Sequence, residues 1–246
     1  MAKFFVVSDV HSFYTPLKKA LDESGFDPNN DDHWLIVCGD AFDRGDESFE
    51  ALRFLMGLER KVLVRGNHDE LLEECCKRRF PLWHDVHNGT KKTIDDIGGS
   101  GEGIPFDECC KITLDETATY RGLLKNYFET KNYIFVHSWI PTTSQNKYDR
   151  NWRRATDKRW KKAMWPNPFY LAQDGLNKTG KTIVFGHWHC SLGHSLDANG
   201  EIGEFEPRAI WDPYKNEQQG IIGIDRCTAH TGQINVLVLE DEFLEG

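Results

Sequence analysis

Five short polar motifs, each standing directly after a run of apolar residues, supply the ligand types of a site for two metal ions. The motifs occupy Ser8–His11, Gly39–Gly45, Arg65–Asp69, Val136–Ser138 and Gly186–His189. Their candidate ligands are Asp, His and Asn, and the set contains no cysteine. Mixed oxygen and nitrogen ligation suits Mn, Fe or Zn better than an all-oxygen calcium site or a structural zinc site built from thiolates.

The apolar runs before these motifs predict the elements that position them. They cover Phe4–Val7, Leu35–Cys38, Val62–Val64, Ile134–Val136 and Ile183–Phe185. Short runs rich in β-branched and aromatic residues predict buried strands, and open α/β sheets bind ligands beyond the carboxyl ends of their strands. Alone, Asp9 could cap a helix and His137 could be an ordinary buried histidine. Five such strand ends in series favour one shared site, because unpartnered polar groups are costly to bury.

The motifs read, in order, D-x-H, G-D-x-x-D, G-N-H-D, H and G-H-x-H. This series resembles the calcineurin-like metallophosphoesterase superfamily. Arg44-Gly45 after the second motif and Arg65-Gly66 before Asn67 are similar to the phosphoprotein phosphatase branch, which includes Ser/Thr phosphatases and symmetrical dinucleoside tetraphosphatases. The chain departs from that branch at Asp69, where Glu is usual, and at Ser138-Trp139, where Ala-Gly is common.

The resemblance implies two divalent metal ions as cofactors, with Mn favoured and Fe or Zn as alternatives. The implied ligands are Asp9, His11 and His189 for the first metal, Asn67, His137 and His187 for the second, and Asp40 as a bridge between them. A carboxylate suits the bridging position because it has two oxygens to share. A hydroxide between the metals would then attack phosphorus in line, so that no protein nucleophile is needed.

The resemblance also implies roles in catalysis and substrate binding. His68 would protonate the leaving oxygen as general acid, and Asp43 would orient its imidazole. Arg44 and Arg65 would grip the phosphate oxygens, with Asn67 and His68 as further substrate-binding residues. Simpler roles stay open: Arg44 could pair with acidic neighbours at the surface, Arg65 could be an ordinary surface residue, and Asp43 could cap the helix that follows.

The implied fold is α/β with four layers, in which a two-sheet β-sandwich is flanked by helices and carries a helical cap. A single domain, residues 1–246, is expected, with cap insertions at about 81–130 and 139–175 over the carboxyl ends of the strands. Further expectations are a helix near 116–128 and, at the end of the chain, a hairpin of strands near 221–225 and 234–239.

The second insertion combines Trp139, Trp152, Trp160 and Trp165 with a cluster of basic residues. These are Lys147, Arg150, Arg153, Arg154, Lys158, Arg159, Lys161 and Lys162. On a helical wheel Trp152 and Trp160 share a face that the basic residues avoid, which predicts an amphipathic helix with a solvated basic side. Alternatively, one or two of these arginines reach the phosphate pocket, which would favour polyphosphate or nucleotide substrates.

Composition narrows the classes of partner. The formal net charge of −9 argues against general affinity for nucleic acid or an anionic membrane surface. The first predicted strand begins near Lys3, leaving no room for a signal peptide, and no apolar run approaches membrane length. Seven cysteines without a C-x-x-C spacing are typical of reduced thiols, so the expected location is the cytoplasm.

These observations predict a phosphoesterase that acts on a phosphoprotein, a nucleotide or a small phosphoester. The leading hypothesis is an enzyme similar to Ser/Thr protein phosphatases, and the alternative is a dinucleoside tetraphosphate (Ap4A-type) hydrolase. A hypothesis of another class is an inactive interaction module, which would purify without stoichiometric metal. A nuclease would be expected to carry a DNA-binding domain or a basic groove, and it is disfavoured because no second domain is expected and the chain is acidic.

Overall fold

The computed structural model describes residues 1–99, 101, 103–190 and 220–244. Within these ranges the chain forms eight strands and ten α-helices. The strands are β1 (Ala2–Val7), β2 (His33–Cys38), β3 (Lys61–Val64), β4 (Phe128–Glu129), β5 (Tyr133–Phe135), β6 (Thr182–Phe185), β7 (Ile221–Gly223) and β8 (Leu237–Asp241). The helices are α1 (Tyr14–Glu23), α2 (Ser48–Gly57), α3 (Asn67–Arg78), α4 (Trp83–Asn88), α5 (Thr90–Gly98), α6 (Phe106–Glu116), α7 (Ala118–Leu123), α8 (Asp157–Ala163), α9 (Pro168–Gln173) and α10 (Thr228–Thr231).

The strands form two mixed sheets of four strands each. One sheet has the order β3-β2-β1-β8, with β1, β2 and β3 parallel and β8 antiparallel to β1. The other has the order β4-β5-β6-β7, with β5, β6 and β7 parallel and β4 antiparallel to β5. The five strands that precede the polar motifs are therefore all parallel strands, and their carboxyl ends carry the motifs.

Three clusters of buried apolar side chains hold these layers together. Phe4, Val6 and Ile36 of the first sheet meet Phe135 and Val184 of the second between the sheets. On the outer face of the first sheet a second cluster joins the strands to α1, α2, α3, α5 and α6. A third cluster lies on the outer face of the second sheet. The predicted four-layer sandwich of two sheets flanked by helices is thus confirmed, since each sheet buries both of its faces.

The last two strands do not form the predicted hairpin. β7 pairs with β6 in the second sheet, whereas β8 pairs with β1 in the first. The segment between them, which contains α10, crosses from one sheet to the other. The hairpin prediction was wrong because two apolar strands close in sequence found partners in different sheets.

The first insertion extends the helical layer beside the first sheet. Helices α5 and α6 pack against each other and against α3, and α5 also contacts α2. The predicted helix near 116–128 covers only α7, because the chain then becomes extended and Lys125 pairs with the edge of β3 through the backbone of Leu63 and Arg65. Instead of covering the strand ends, most of this insertion packs as part of the main core.

The second insertion packs on the outer face of the second sheet. Trp139, Trp152 and Trp160 are buried there, and the Tyr127 ring stacks on Trp160 with a centroid distance of 5.2 Å. Several of its basic side chains are held by acidic partners: Arg153 pairs with Glu129, Arg159 with Asp149 and Lys161 with Glu70. Trp152 and Trp160 are buried as the pattern predicts, but the single amphipathic helix expected to carry both does not form: Trp152 lies in a 3-10 helix, Trp152–Arg154, and Trp160 in α8, because the chain is extended at Ala155 and Thr156. None of the helices in the described part of the chain is long and apolar enough to cross a membrane.

Candidate metal centre

A cavity of about 420 Å³ opens where the carboxyl ends of the parallel strands of both sheets meet. Most of the predicted site residues line it: Asp9, His11, Asp40, Arg44, Asn67, His68, His187 and His189. His137, almost fully buried, lies directly behind them, with its Nε2 atom 2.8 Å from Asn67 Oδ1. Motifs from five separate strands thus supply one cavity.

Asp40 lies between two tight groups of candidate ligands. One group contains His11, Asp40 and His68, and the other contains Asp40, His137 and His187, with the ligand atoms of each group within 4.8 Å of one another. Asp9 lies beside the first group, since its Oδ1 atom is 3.9 Å from His11 Nε2. His189 lines the cavity without joining either group. A carboxylate shared by both groups occupies the place expected of a bridging ligand.

Backbone carbonyls fix the imidazoles of three of these histidines. In each ring one nitrogen donates to a carbonyl oxygen: His11 Nδ1 to Phe42 at 2.9 Å, His137 Nδ1 to Cys38 at 2.9 Å and His187 Nε2 to Trp165 at 3.1 Å. The other nitrogen of each ring therefore directs a lone pair towards the cavity. Metal-ligating histidines are generally oriented by this kind of outer hydrogen bond.

Around His137 Nε2 the structure brings together atoms that all accept hydrogen bonds. Asn67 Oδ1 lies at 2.8 Å, His187 Nδ1 at 3.2 Å and Asp40 Oδ2 at 3.3 Å. Four buried lone pairs facing one another repel unless a cation lies among them. These residues therefore fit a divalent metal ion, and the mixed nitrogen and oxygen donors fit a transition metal.

In the metal-free protein a proton takes the place of that cation. Burial alone would lower the pKa of His137, but the carboxylate of Asp40, within hydrogen-bonding distance, raises it to about 10. We expect metal binding to release about one proton from His137, because only the neutral imidazole binds a metal. The metal affinity should therefore rise about tenfold per pH unit from pH 7 towards pH 10.

Calorimetric titration with Mn at pH 7.5 in two buffers of different ionisation enthalpy measures this proton. The apparent heat of binding should differ between the buffers by about one ionisation enthalpy. Equal heats in both buffers would show that His137 is already neutral in the metal-free protein.

The backbone at the motifs adopts a conformation that side-chain-bearing residues seldom accept. Six site residues have positive φ angles between 49° and 75°, namely Asp9, His11, Asp40, Asp43, Arg44 and His187. Such left-handed conformations cost roughly 1–3 kcal/mol each and are concentrated at functional sites. All six residues lie in the loops that follow β1, β2 and β6.

Two motif glycines allow neighbouring motifs to approach each other. A Cβ atom at Gly66 would lie 2.0 Å from Asp40 Oδ1, and one at Gly186 would lie 2.1 Å from Asp9 Oδ2. Any larger residue would displace these carboxylates from the centre. Glycine at the two positions is thus a packing requirement of the metal centre.

His68 and Asp43 form a buried pair at the edge of the cavity. His68 Nδ1 donates to Asp43 Oδ2 at 2.8 Å, so its Nε2 atom is free to face the cavity. Burial alone would lower the pKa of His68, but the carboxylates of Asp40 and Asp43 outweigh burial and raise it. A histidine whose pKa is raised by neighbouring carboxylates is suited to act as a general acid.

Sequence reasoning missed the residues that hold Asp43 in place. Thr90 and Thr93 donate their hydroxyls to its carboxylate at 2.6 and 3.1 Å. Both come from α5, in the first insertion, and neither stands in a motif. Their role depends on how α5 packs beside the second motif.

Asp225 is a further acidic residue in the cavity that was not among the predicted site residues. It lines the cavity, is buried, and accepts a hydrogen bond from Cys227 N at 2.7 Å. Thr228 nearby donates its hydroxyl to the backbone oxygen of Asp9 at 3.0 Å. Asp225 follows the apolar run Ile221–Ile224, so the same strand-end signal that identified Asp9 could have found it.

The two predicted phosphate-binding arginines lie in different places. Arg44 lines the cavity, whereas Arg65 borders a separate cavity and pairs with Glu70 at 3.2 Å and Asp157 at 3.0 Å. The position of Arg65 differs from the expectation because acidic residues of α3 and α8 hold its guanidinium away from the metal centre. None of the eight basic residues of the second insertion is among the described residues that line the metal-centre cavity.

Comparison with known proteins gives the chain a family context. A family model described as calcineurin-like phosphoesterase matches residues 2–191. Among curated proteins, a symmetrical bis(5'-nucleosyl)-tetraphosphatase of Pseudomonas putida is 40% identical over 138 residues, which cover 56% of this chain and 42% of that protein. The protein with the same name from Aeromonas hydrophila is 49% identical over 70 residues, which cover 28% of this chain and 24% of that protein. The chain thus spans less than half the length of these relatives.

Solved structures support the fold. A cold-active protein-tyrosine phosphatase of a psychrophilic Shewanella species has a TM-score of 0.59 at 16% identity, covering 98% of this chain and 76% of that one. A mutant cold-active protein tyrosine phosphatase has a TM-score of 0.61 at 16% identity, with the same coverage. At this identity the likeness concerns the architecture alone.

Proposed function

The chain belongs to the calcineurin-like phosphoesterase family, and from that premise we propose that it hydrolyses phosphoric esters and anhydrides with two divalent metal ions. The observation that carries this proposal is the convergence of buried lone pairs on His137 Nε2, next to the His68–Asp43 pair. The arrangement provides both a place for cations and a positioned proton donor. An interaction module without activity would have no need of this buried, strained constellation.

As the substrate we propose a symmetrical dinucleoside tetraphosphate. The similar curated proteins bear that activity in their names, whereas no contact in the described residues specifically supports a phosphoprotein. This reverses the order of the two sequence-based hypotheses. Hydrolysis at the central phosphoanhydride would yield two nucleoside diphosphates.

Different residues of the chain have different roles in the proposed reaction. Two bound metal ions would supply a hydroxide nucleophile near neutral pH and neutralise charge on the phosphoryl group. Asp40 and the imidazoles of His11, His137 and His187 would hold the cations, and Arg44 would bind phosphate oxygens with its planar guanidinium. His68 donates its Nε2 proton to the leaving oxygen, while Asp43 keeps the ring oriented through Nδ1.

We propose Mn as the physiological metal, with Fe or Zn as alternatives. The donors are imidazole, carboxylate and amide, and cysteine is not among the groups of candidate ligands in the described residues. Such a set suits these metals better than the thiolate-rich ligation of structural zinc. Metal analysis of the purified protein, followed by reactivation of the stripped protein with each metal in turn, tests the assignment.

A substrate panel tests the function. The Mn-loaded protein is assayed with diadenosine tetraphosphate, p-nitrophenyl phosphate, a phosphopeptide and a cyclic nucleotide, and kcat/KM is compared. We expect the highest value for diadenosine tetraphosphate, with ADP as product. A higher value for the phosphopeptide would support the protein-phosphatase hypothesis instead, and protein without metal or activity would point to an interaction module.

The two arginines make a matched pair of variants. Arg44→Ala should lose about 2–4 kcal/mol of transition-state binding, or roughly 30- to 1,000-fold in kcat/KM, with metal content unchanged. Arg65→Ala should lose less than roughly fivefold, because a partly exposed ion pair contributes about 0–1 kcal/mol. Steady-state kinetics with diadenosine tetraphosphate gives both values. A large loss for Arg65→Ala alone would restore its predicted role as the phosphate-binding arginine.

A further inference from the structure

Two tryptophans at the mouth of the catalytic cavity have no part in the core. Trp165 and Trp188 both line the cavity, and they are 52% and 37% exposed. The other tryptophans of the second insertion, Trp139, Trp152 and Trp160, are buried. Exposed apolar rings that line the same cavity, unlike ones scattered singly over a surface, are typical of a ligand-binding site.

Both tryptophans are tied to the same candidate metal ligand. The backbone oxygen of Trp165 accepts the hydrogen bond from His187 Nε2 at 3.1 Å. Trp188 follows His187 directly, and the two ring centroids are 6.3 Å apart. The backbone of each tryptophan is therefore held beside His187, and both side chains line the cavity.

We propose that Trp165 and Trp188, the tryptophan pair, form a subsite that binds a nucleobase of the substrate by stacking. The inference rests on the proposed function, which places a phosphate chain at the metal centre and its nucleosides at the mouth. Aromatic side chains bind the π-face of any base without reading its identity. The cavity of about 420 Å³ falls within the range of roughly 300–1,000 Å³ typical of small-molecule sites.

The small number of cationic side chains around the cavity supports a contribution of the nucleobases to substrate affinity. Arg44 is the one Lys or Arg among the described residues that line it, although the second insertion carries eight basic residues. A polyphosphate chain therefore meets few protein cations besides the bound metals. Stacking on the tryptophan pair would supply affinity that the chain itself does not obtain from arginine or lysine.

Two non-hydrolysable probes distinguish the affinity contributed by the nucleoside from the affinity contributed by the phosphate groups. α,β-Methylene-ADP and methylenediphosphonate share the same P–C–P group and differ by the adenosine. Calorimetry on the Mn-loaded protein should show tighter binding of the nucleotide. In Trp165→Ala or Trp188→Ala the nucleotide should bind about 5- to 150-fold more weakly, as expected for loss of one stacked ring. Binding of methylenediphosphonate should change less than twofold, which also reports that the metal centre remains folded.

Matched variants sharpen the test. Trp165→Phe and Trp188→Phe should retain most of the nucleotide affinity, because they keep a ring to stack on. Trp83→Ala removes a tryptophan that is 78% exposed and lies outside the cavity, and it should leave both affinities unchanged. If the alanine variants do not fold, the wild-type difference between the two probes decides. Equal affinities for both probes would overturn the proposal.

The outcomes distinguish this inference from the proposed function. The protein could fail to cleave diadenosine tetraphosphate while its tryptophan variants lose nucleotide affinity. That result would support the nucleobase subsite and contradict the proposed substrate. Cleavage of diadenosine tetraphosphate with an unchanged KM in both alanine variants would keep the substrate and reject the subsite. If both are right, the alanine substitutions raise KM by the factor seen in binding and leave kcat within about twofold, since stacking acts on ground state and transition state alike.

Discussion

Asp40→Asn should abolish turnover and lower the metal content of the purified protein. The substitution keeps the shape of the side chain but removes the one negative charge shared by both groups of candidate ligands. It also replaces an oxygen that lies 3.3 Å from His137 Nε2 or one that accepts the hydrogen bond from His68 N at 2.9 Å. We expect kcat/KM to fall by at least about 10³-fold, since loss of a single well-placed charge-stabilising group costs roughly 10²–10³-fold even without metal loss.

Metal analysis and kinetics on the same preparation check this result. Asp22→Asn is a matched control, because Asp22 is an exposed residue of α1 whose partner is Lys18. The control should retain wild-type metal content and turnover. An Asp40→Asn protein with two metals per chain and full activity would show that the ligand assignment is wrong.

His68→Asn should separate metal binding from proton transfer. The imidazole is held by Asp43 and directs Nε2 into the cavity, so the variant should keep its metals and lose its proton donor. For an alkyl phosphate ester, whose leaving group needs a proton, kcat/KM should fall roughly 10²–10⁴-fold. The loss should be much smaller for p-nitrophenyl phosphate, because its phenolate leaves without protonation.

The ratio of the two rate losses is the informative measurement. Equal losses on both substrates would point to a positioning role for His68, without proton transfer. Loss of metal would instead make His68 a ligand, a possibility raised by its place in one group with His11 and Asp40. His87→Asn, in an exposed position on α4 where the ring stacks on Trp83, serves as the control and should leave both rates unchanged.

Much of the site could be predicted because its signal is local. An apolar run followed closely by Asp, His or Asn marks the end of a buried strand. In the structure β1, β2, β5 and β6 end two residues before Asp9, Asp40, His137 and His187, and β3 ends three residues before Asn67. Parallel strands place such ends on one edge. Within each sheet the strand ends therefore lie side by side, and the packing of the two sheets joins the two sets of side chains in one cavity.

Features that depend on contacts between distant segments were not predictable in this way. The helix expected near 116–128 ends at Leu123 because β3 offers Lys125 a free edge. Arg65 lies outside the metal-centre cavity because Glu70 and Asp157 are within ion-pair distance of its guanidinium. Similarly, Thr90 and Thr93 hold Asp43 only because α5 packs beside the second motif.

The sequence by itself identified most of the polar side chains that meet at the metal-centre cavity, since strand period and strand-end position are properties of short segments. Only the tertiary structure decided which sheet each closing strand joined, which arginine faces the cavity, and that Trp165 and Trp188 stand exposed at its mouth while Trp152 and Trp160 are buried. The physical reason is that these outcomes depend on contacts between segments far apart in the chain. The local sequence around a tryptophan or an arginine is the same whether the side chain is buried, paired or exposed.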